Sequence, residues 1–175
     1  MNAKAFLEVE MPPAVARLEK DRRGYPIPYT VMYVNGVPDF TMVDPEKWVR
    51  LTKIKGCGIC GKPLTGRMFF VGGPRCLVNM VFFDHPMHEE CAVYALKVCP
   101  FLCMPNAHYR RRVAENVEII KSVSDQKPEV FMLGESRGYS LVRNGQEVLL
   151  QAKPWENVRW WKDGVDVTDR VEIAG

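Results

Sequence analysis

The chain has 175 residues, 47% hydrophobic and 26% charged, with a formal net charge of +3 at pH 7. That is the balance of an ordinary globular protein with enough length for a sizeable core, and thirteen Pro and thirteen Gly imply many turns without low complexity. No apolar run approaches the ~20 residues that span a bilayer, the start "MNAKAFLEVEMPP" lacks a basic region followed by an apolar one, and the charge alone is too small to imply nucleic-acid binding.

In chain order, "PPAVARLEKDRR" (Pro12–Arg23) predicts a short amphipathic helix ending before Gly24. "YTVMYVNGVPDFTMV" predicts a hairpin across Asn35-Gly36, with Pro38 placing the second strand at an edge. "DPEKWVRLTKI" predicts a helix with Asp44 as N-cap and Pro45 at its first position. Trp48, Leu51 and Thr52 or Ile54 are expected to face the core. "RMFFV" and "CLVNMVFF" read as two strands joined by "GGPR", and "HEECAVYALKV" as a helix bounded by Pro86 and Pro100. Beyond "NAHYRRR", the segments "EVFML", "GYSLVRNGQEVLLQ" and "NVRWWKDGVDV" read as three or four strands, with turns at Asn144-Gly145 and Asp163-Gly164. "TDRVEIAG" predicts a last helix capped by Thr168. The expected architecture is one α+β domain over 1–175. A treble-clef-like zinc unit (55–105) sits between an N-terminal hairpin and helix and an antiparallel, strand-rich part (126–175).

The six cysteines carry the chemistry. With no secretory signal, the expected location is the cytoplasm, where disulfides are disfavoured and clustered cysteines bind metal. Cys57-Gly-Ile-Cys60 forms a tight knuckle whose backbone amides can point at the thiolates. His88 and Cys91 repeat the gap on the first turn of a helix, where the helix dipole favours thiolate. Knuckle, hairpin and helix start is the order of a treble-clef finger, so Cys57, Cys60, His88 and Cys91 are the expected ligands of a structural Zn²⁺. Four ligands close the site, whereas catalytic zinc keeps a position open. His85 is the competing histidine. Cys76, Cys99 and Cys103 have no second paired spacing and read as core residues near the finger. His108 reads as a surface residue.

Arg50 to Arg75 carries six cations and no carboxylate. Lys53, Lys55, Lys62, Arg67 and Arg75 are the candidate nucleic-acid contacts, with Arg110, Arg111 and Arg112 as a second cluster and Phe69, Phe70 and Tyr109 as candidates for base stacking. The bland alternative is a solvated face over core phenylalanines. Trp155, Trp160 and Trp161 read as core and rim of the C-terminal sheet. "FFDHP" resembles the strand end of ββα-metal nucleases, where a histidine activates water. Only Pro86 and Met87 separate His85 from His88, leaving little room for the metal-binding loop of such enzymes.

The segments "DRRGYPIPY", "PDFTMVDPEKWVR", "CGICGKPL", "FFVGGPRC", "HEECAVYALKVCPFL" and "VRWWKDGVDVT" resemble an uncharacterised family of small Cys/His proteins of actinobacterial genomes and bacteriophages. The most specific piece is HxxCAxxAxxxCPFL, matched by His88, Cys91, Ala92, Ala95, Cys99, Pro100, Phe101 and Leu102. The resemblance spans nearly the whole chain and implies one integrated unit. It also implies that Cys76 and Cys99 belong to the family pattern, that Cys103 is peculiar to this chain, and that relatives continue past Thr168. It suggests a phage or mobile-element setting and supplies no activity. The expected function is a non-enzymatic, zinc-stabilised binding protein. Its partner would be nucleic acid or a host macromolecule, as for a phage accessory or counter-defence factor. The alternative is a nuclease or a hydrolase of a nucleotide signal.

Overall fold

The computed structural model describes residues 8–104 and 127–171. The fold is α+β, with helices α1 (Pro13–Ala16), α2 (Pro45–Ile54), α3 (Cys76–Asn79), α4 (Glu89–Val98) and α5 (Pro100–Cys103). The strands are β1 (Val31–Val34), β2 (Val37–Val43), β3 (Met68–Gly72), β4 (Val81–Phe82), β5 (Phe131–Ser136), β6 (Tyr139–Asn144), β7 (Glu147–Ala152), β8 (Trp155–Lys162) and β9 (Val165–Asp166). They form an antiparallel β1-β2 hairpin and two antiparallel sheets, ordered β3-β5-β8-β9 and β4-β7-β6. Among the described residues no helix is long and apolar enough to cross a membrane.

Local chemistry explains the elements the sequence predicts. Asn35 and Gly36 both hold positive φ, which the tight hairpin turn requires. Asp44 caps α2, its Oδ1 accepting the N–H of Glu46 (3.0 Å) and of Lys47 (3.1 Å). Lys55 ends α2 in the left-handed conformation, its N–H bonded to the Leu51 carbonyl. Leu51 is fully buried, while Ile54 is 39% exposed.

The two sheets meet over an aromatic core. Phe70 of β3 lies 4.9 Å from Phe82 of β4 and 5.9 Å from Trp155 of β8, centroid to centroid. The Trp155 indole donates to the Leu77 carbonyl at 3.0 Å, so the ring is satisfied as well as packed. Trp160 and Trp161 are buried too. Helix α4 adds Cys91, Ala92, Tyr94, Leu96 and Val98 to the buried residues.

Three expectations are corrected. The first helix stops after Ala16. The Asp21 carboxylate then takes the N–H of Arg23 (2.9 Å) and of Tyr25 (3.0 Å), a local turn that competes with helix. The hairpin across "GGPR" does not form. Cys76–Asn79 winds into a helical turn, Met80 leaves it in the left-handed region (φ 58°), and β4 joins β7 instead. β3 pairs with β5, about sixty residues further on. Thr168 does not cap a helix but opens a 3-10 turn, Thr168–Arg170. Its Oγ donates to Asp166 (2.6 Å) and accepts the Trp160 N–H (2.9 Å).

Candidate metal centre

The knuckle follows directly from α2. Gly56 bridges to Pro63, Leu64 N–H reaches the Lys55 carbonyl, and Cys57 N–H reaches the Lys62 carbonyl. The chain between them turns with Gly61 at φ +73° and Gly61 N–H on the Cys57 carbonyl. Neighbouring segments clamp this loop. Tyr29 N–H donates to the Ile59 carbonyl at 2.8 Å, and Gly58 N–H to the Pro86 carbonyl at 3.0 Å.

The second pair of candidate ligands is delivered by strand geometry. Phe69 and Met87 exchange both backbone hydrogen bonds, at 3.0 and 2.8 Å, next to His88. Thus β3 has an antiparallel partner at one residue, and the chain between them makes the α3–β4 excursion into the other sheet. His88 is the N-cap residue of α4, and Cys91 lies in its first turn.

Four donor atoms converge here. The sulfurs of Cys57, Cys60 and Cys91 and a ring nitrogen of His88 all lie within 4.8 Å of one another, so the group can hold a metal ion. Cys57 and Cys91 are fully buried, while Cys60 is partly exposed. His88 Nδ1 stands 3.4 Å from Cys60 Sγ, and its Nε2 lies 3.3 Å from the Pro63 carbonyl. A carbonyl can only accept, so Nε2 carries the proton and Nδ1 presents a lone pair to the cluster. Backbone N–H groups of Cys60 and Lys62 point at the sulfurs of Cys57 and Cys60 respectively.

The thiols share charge unequally. The hydrogen bond from Cys57, followed by that from Cys91, holds the Cys60 thiol down at about 2. Cys57 is pushed up to about 11, first by its bond to Cys60. Cys91 is raised further, first by Cys57 and then by Cys60. The shifts concentrate the cluster's negative charge on Cys60, so a metal would draw protons from Cys57 and Cys91.

All six cysteines are free thiols. Cys76 stands apart with its sulfur 3.7 Å from the Val81 carbonyl, and burial raises the thiols of Cys76, Cys99 and Cys103. His85 is not a member of the cluster. It is 3% exposed, stacked edge-on against Trp48 (4.9 Å), with Nε2 3.0 Å from the Thr52 hydroxyl. Burial pushes its pKa down to about 4, so the ring is neutral.

The basic residues separate into unlike environments. Lys53, Lys55 and Lys62 are exposed around the knuckle and make no ion pair among the described residues. Arg67 is paired with Glu135 at 3.2 Å and lies over the Phe69 ring at 5.9 Å. Arg75 flanks α3, beyond the opposite end of β3, on the order of 15 Å from Arg67 by strand rise. Phe69 and Phe70 are core residues, 4% and 1% exposed, and are not placed to stack on bases. His108, Tyr109 and Arg110, Arg111 and Arg112 lie outside the described residues. The Pro63 carbonyl and the Phe69–Met87 pairing were missed by sequence reasoning. No side-chain chemistry marks a carbonyl or a one-residue bridge.

No protein-family model, curated protein or solved structure matches the chain.

Proposed function

We propose that the protein is a zinc-stapled, non-catalytic binding module whose ligand is a polyanion, with the phosphate backbone of nucleic acid as the partner. The closed Cys57, Cys60, His88 and Cys91 tetrad carries the zinc part. Zinc makes bonds of about 2.3 Å to sulfur and about 2.0–2.1 Å to nitrogen, which puts tetrahedral S···N corners roughly 3.6 Å apart. The 3.4 Å between Cys60 and His88 supports that fit. Four donors also leave no position for substrate.

The exposed cations around the knuckle support the second part. Lys53, Lys55 and Lys62 sit on backbone fixed by α2 and by the ladder from Gly56 to Pro63, so they need little ordering on binding. With Phe69 and Phe70 buried, the contact is to phosphates rather than to stacked bases. The histidine a hydrolytic reading would use, His85, is sealed beneath Trp48. The phage or mobile-element setting rests on the resemblance alone.

The test has two arms. Elemental analysis of the purified chain is expected to give one zinc, lost in Cys60→Ser together with thermal stability. Titration with labelled single- and double-stranded DNA and RNA at two salt concentrations is expected to show steeply salt-dependent binding, weakened in a Lys53/Lys55/Lys62 triple alanine variant. Zinc-free but stable protein removes the first arm. Absence of low-salt binding, or equal binding by the variant, removes the second.

A further inference from the structure

The sheet β4-β7-β6 ends at β6, and among the described residues no strand pairs with its outer side. β6 is six residues long, contains no proline, and carries one charge, Arg143. Such an edge is a template for another strand unless something blunts it.

Beside this edge runs an apolar seam. The Tyr139 hydroxyl donates to the Thr52 carbonyl at 3.4 Å, which ties the start of β6 to α2. Towards the N-terminal end of α2 a groove of about 230 Å³ opens between the helix and β7, the strand next to β6, lined by Val43, Pro45, Trp48, Val49, Phe83 and Val148. The groove lining is not fully covered, with Val49 48% and Phe83 38% exposed. Leu141, 52% exposed, opposes Leu150 in the ladder, one pair along from the Arg143–Val148 face neighbours. The edge strand therefore presents an open backbone and, on its α2-facing side, uncovered aliphatic surface.

The charges around the seam lean one way. Arg143 is the direct cross-strand neighbour of Val148. Lys53 lies one helical turn beyond Val49, on the same stripe of α2. Both are exposed and without ion pairs among the described residues, against the single exposed carboxylate of Glu46 on that helix.

The geometry points to a strand-addition site on β6 for an extended acidic–apolar peptide segment of a partner protein. Main-chain hydrogen bonds to the free edge supply register. Alternate apolar side chains turn in beside Leu141 and Val49, and carboxylates meet Arg143 and Lys53. This surface is separate from the phosphate contacts proposed for the knuckle, sharing only Lys53 with them.

The probe is a positional library of labelled octapeptides that alternate Val, Ile, Leu or Phe with Asp or Glu, titrated into the zinc-loaded protein. Members are expected to bind with Kd below about 1 mM, to weaken at least tenfold in Leu141→Asp and in Arg143→Glu, and to fail when alternate peptide nitrogens are methylated. Amide exchange along β6 is expected to slow on binding. Leu141 is half exposed, so its variant keeps the fold. Should its zinc content or near-ultraviolet dichroism change, Arg143→Glu and the exchange readout decide. The idea is overturned by absence of binding across the library, by N-methylated or lysine-for-carboxylate peptides that bind equally, by unchanged affinity in the variants, or by an oligothymidylate that protects the same β6 amides.

Discussion

The imidazole of His88 stands with Nδ1 3.4 Å from the Cys60 sulfur, held there by an Nε2–H bond to the Pro63 carbonyl. The knuckle therefore supplies two of the candidate ligands and also sets the tautomer of a third.

Removing that third donor leaves three sulfurs and an open position. His88→Ala is expected to weaken zinc at least tenfold, measured by competition with a chromophoric chelator, whereas His88→Cys retains a closed site. Equal affinity in wild type and His88→Ala would show that the histidine does not bind the metal.

The unequal thiols make metal uptake proton-coupled. Cys57, pushed up to about 11, and Cys91, raised further, both hold protons near neutrality, while Cys60 does not. About two protons are therefore expected to leave per metal ion near pH 7.5, with affinity rising as pH rises. In the metal-free chain the Cys57 shift acts in the opposite sense. Its stabilisation is present below 9.0 and lost as pH climbs towards about 11. Proton release in weakly buffered solution measures the first effect, and a count near three or near zero would contradict the assignment.

His85 has its own acid signature. Its pKa falls from 6.5 to about 4 on burial, so the unfolded chain takes up the proton first. Its contribution is present above 6.5 and is lost as pH falls towards 4, at no more than about 1.4 kcal/mol per pH unit. Denaturant titrations of wild type and His85→Gln are expected to diverge in slope across that window. Parallel curves would mean the histidine is charged or exposed.

Two glycines with similar backbone separate conformation from space. Gly61 has φ +73°, and a Cβ there would sit 2.6 Å from the Tyr29 ring. Gly145 has φ +62° with nothing within 4 Å. Gly145→Ala is expected to cost roughly 1 kcal/mol, the left-handed penalty. Gly61→Ala should cost more and weaken zinc as well. Similar melting shifts would mean that the Tyr29 clamp is dispensable.

The cations are expected to act unequally on polyanion binding. Neutralising Lys53, Lys55 or Lys62 should each lower the log–log salt slope by about 0.9. Arg67→Ala should lower it less, because Glu135 already holds that guanidinium. An Arg67 effect as large as those of the lysines would place the interface on β3 instead.

The Cys/His cluster was legible because its signal is local. Two pairs of ligands at fixed gaps, one on a glycine-rich turn and one at a capped helix start, need no knowledge of the rest of the chain. The same holds for the Asp44 cap and the Asn35-Gly36 turn. What failed was long-range or competitive. "GGPR" reads as a hairpin turn, but nothing near it reveals that β3 prefers β5. Phe69 and Phe70 lie on a strand buried on both faces, where alternation does not separate core residues from base-stacking ones. The Pro12–Arg23 helix lost to the Asp21 side chain, a contest between backbone and carboxylate that propensity does not settle.

The pairing of β3 with β5 and of β4 with β7 also fixes an order of events during synthesis. All four candidate ligands have been made by residue 91, yet β3 waits for β5 at residue 131 and β4 for β7 at residue 147. A nascent chain therefore holds a complete ligand set while both of these early strands still lack their sheet neighbours. Metal bound at that stage would close the 57–91 loop and shorten the search that later brings distant strands together. Metal supply would then act on the rate of folding as well as on its end point, and a chain made without metal would expose β3 and β4 for longer.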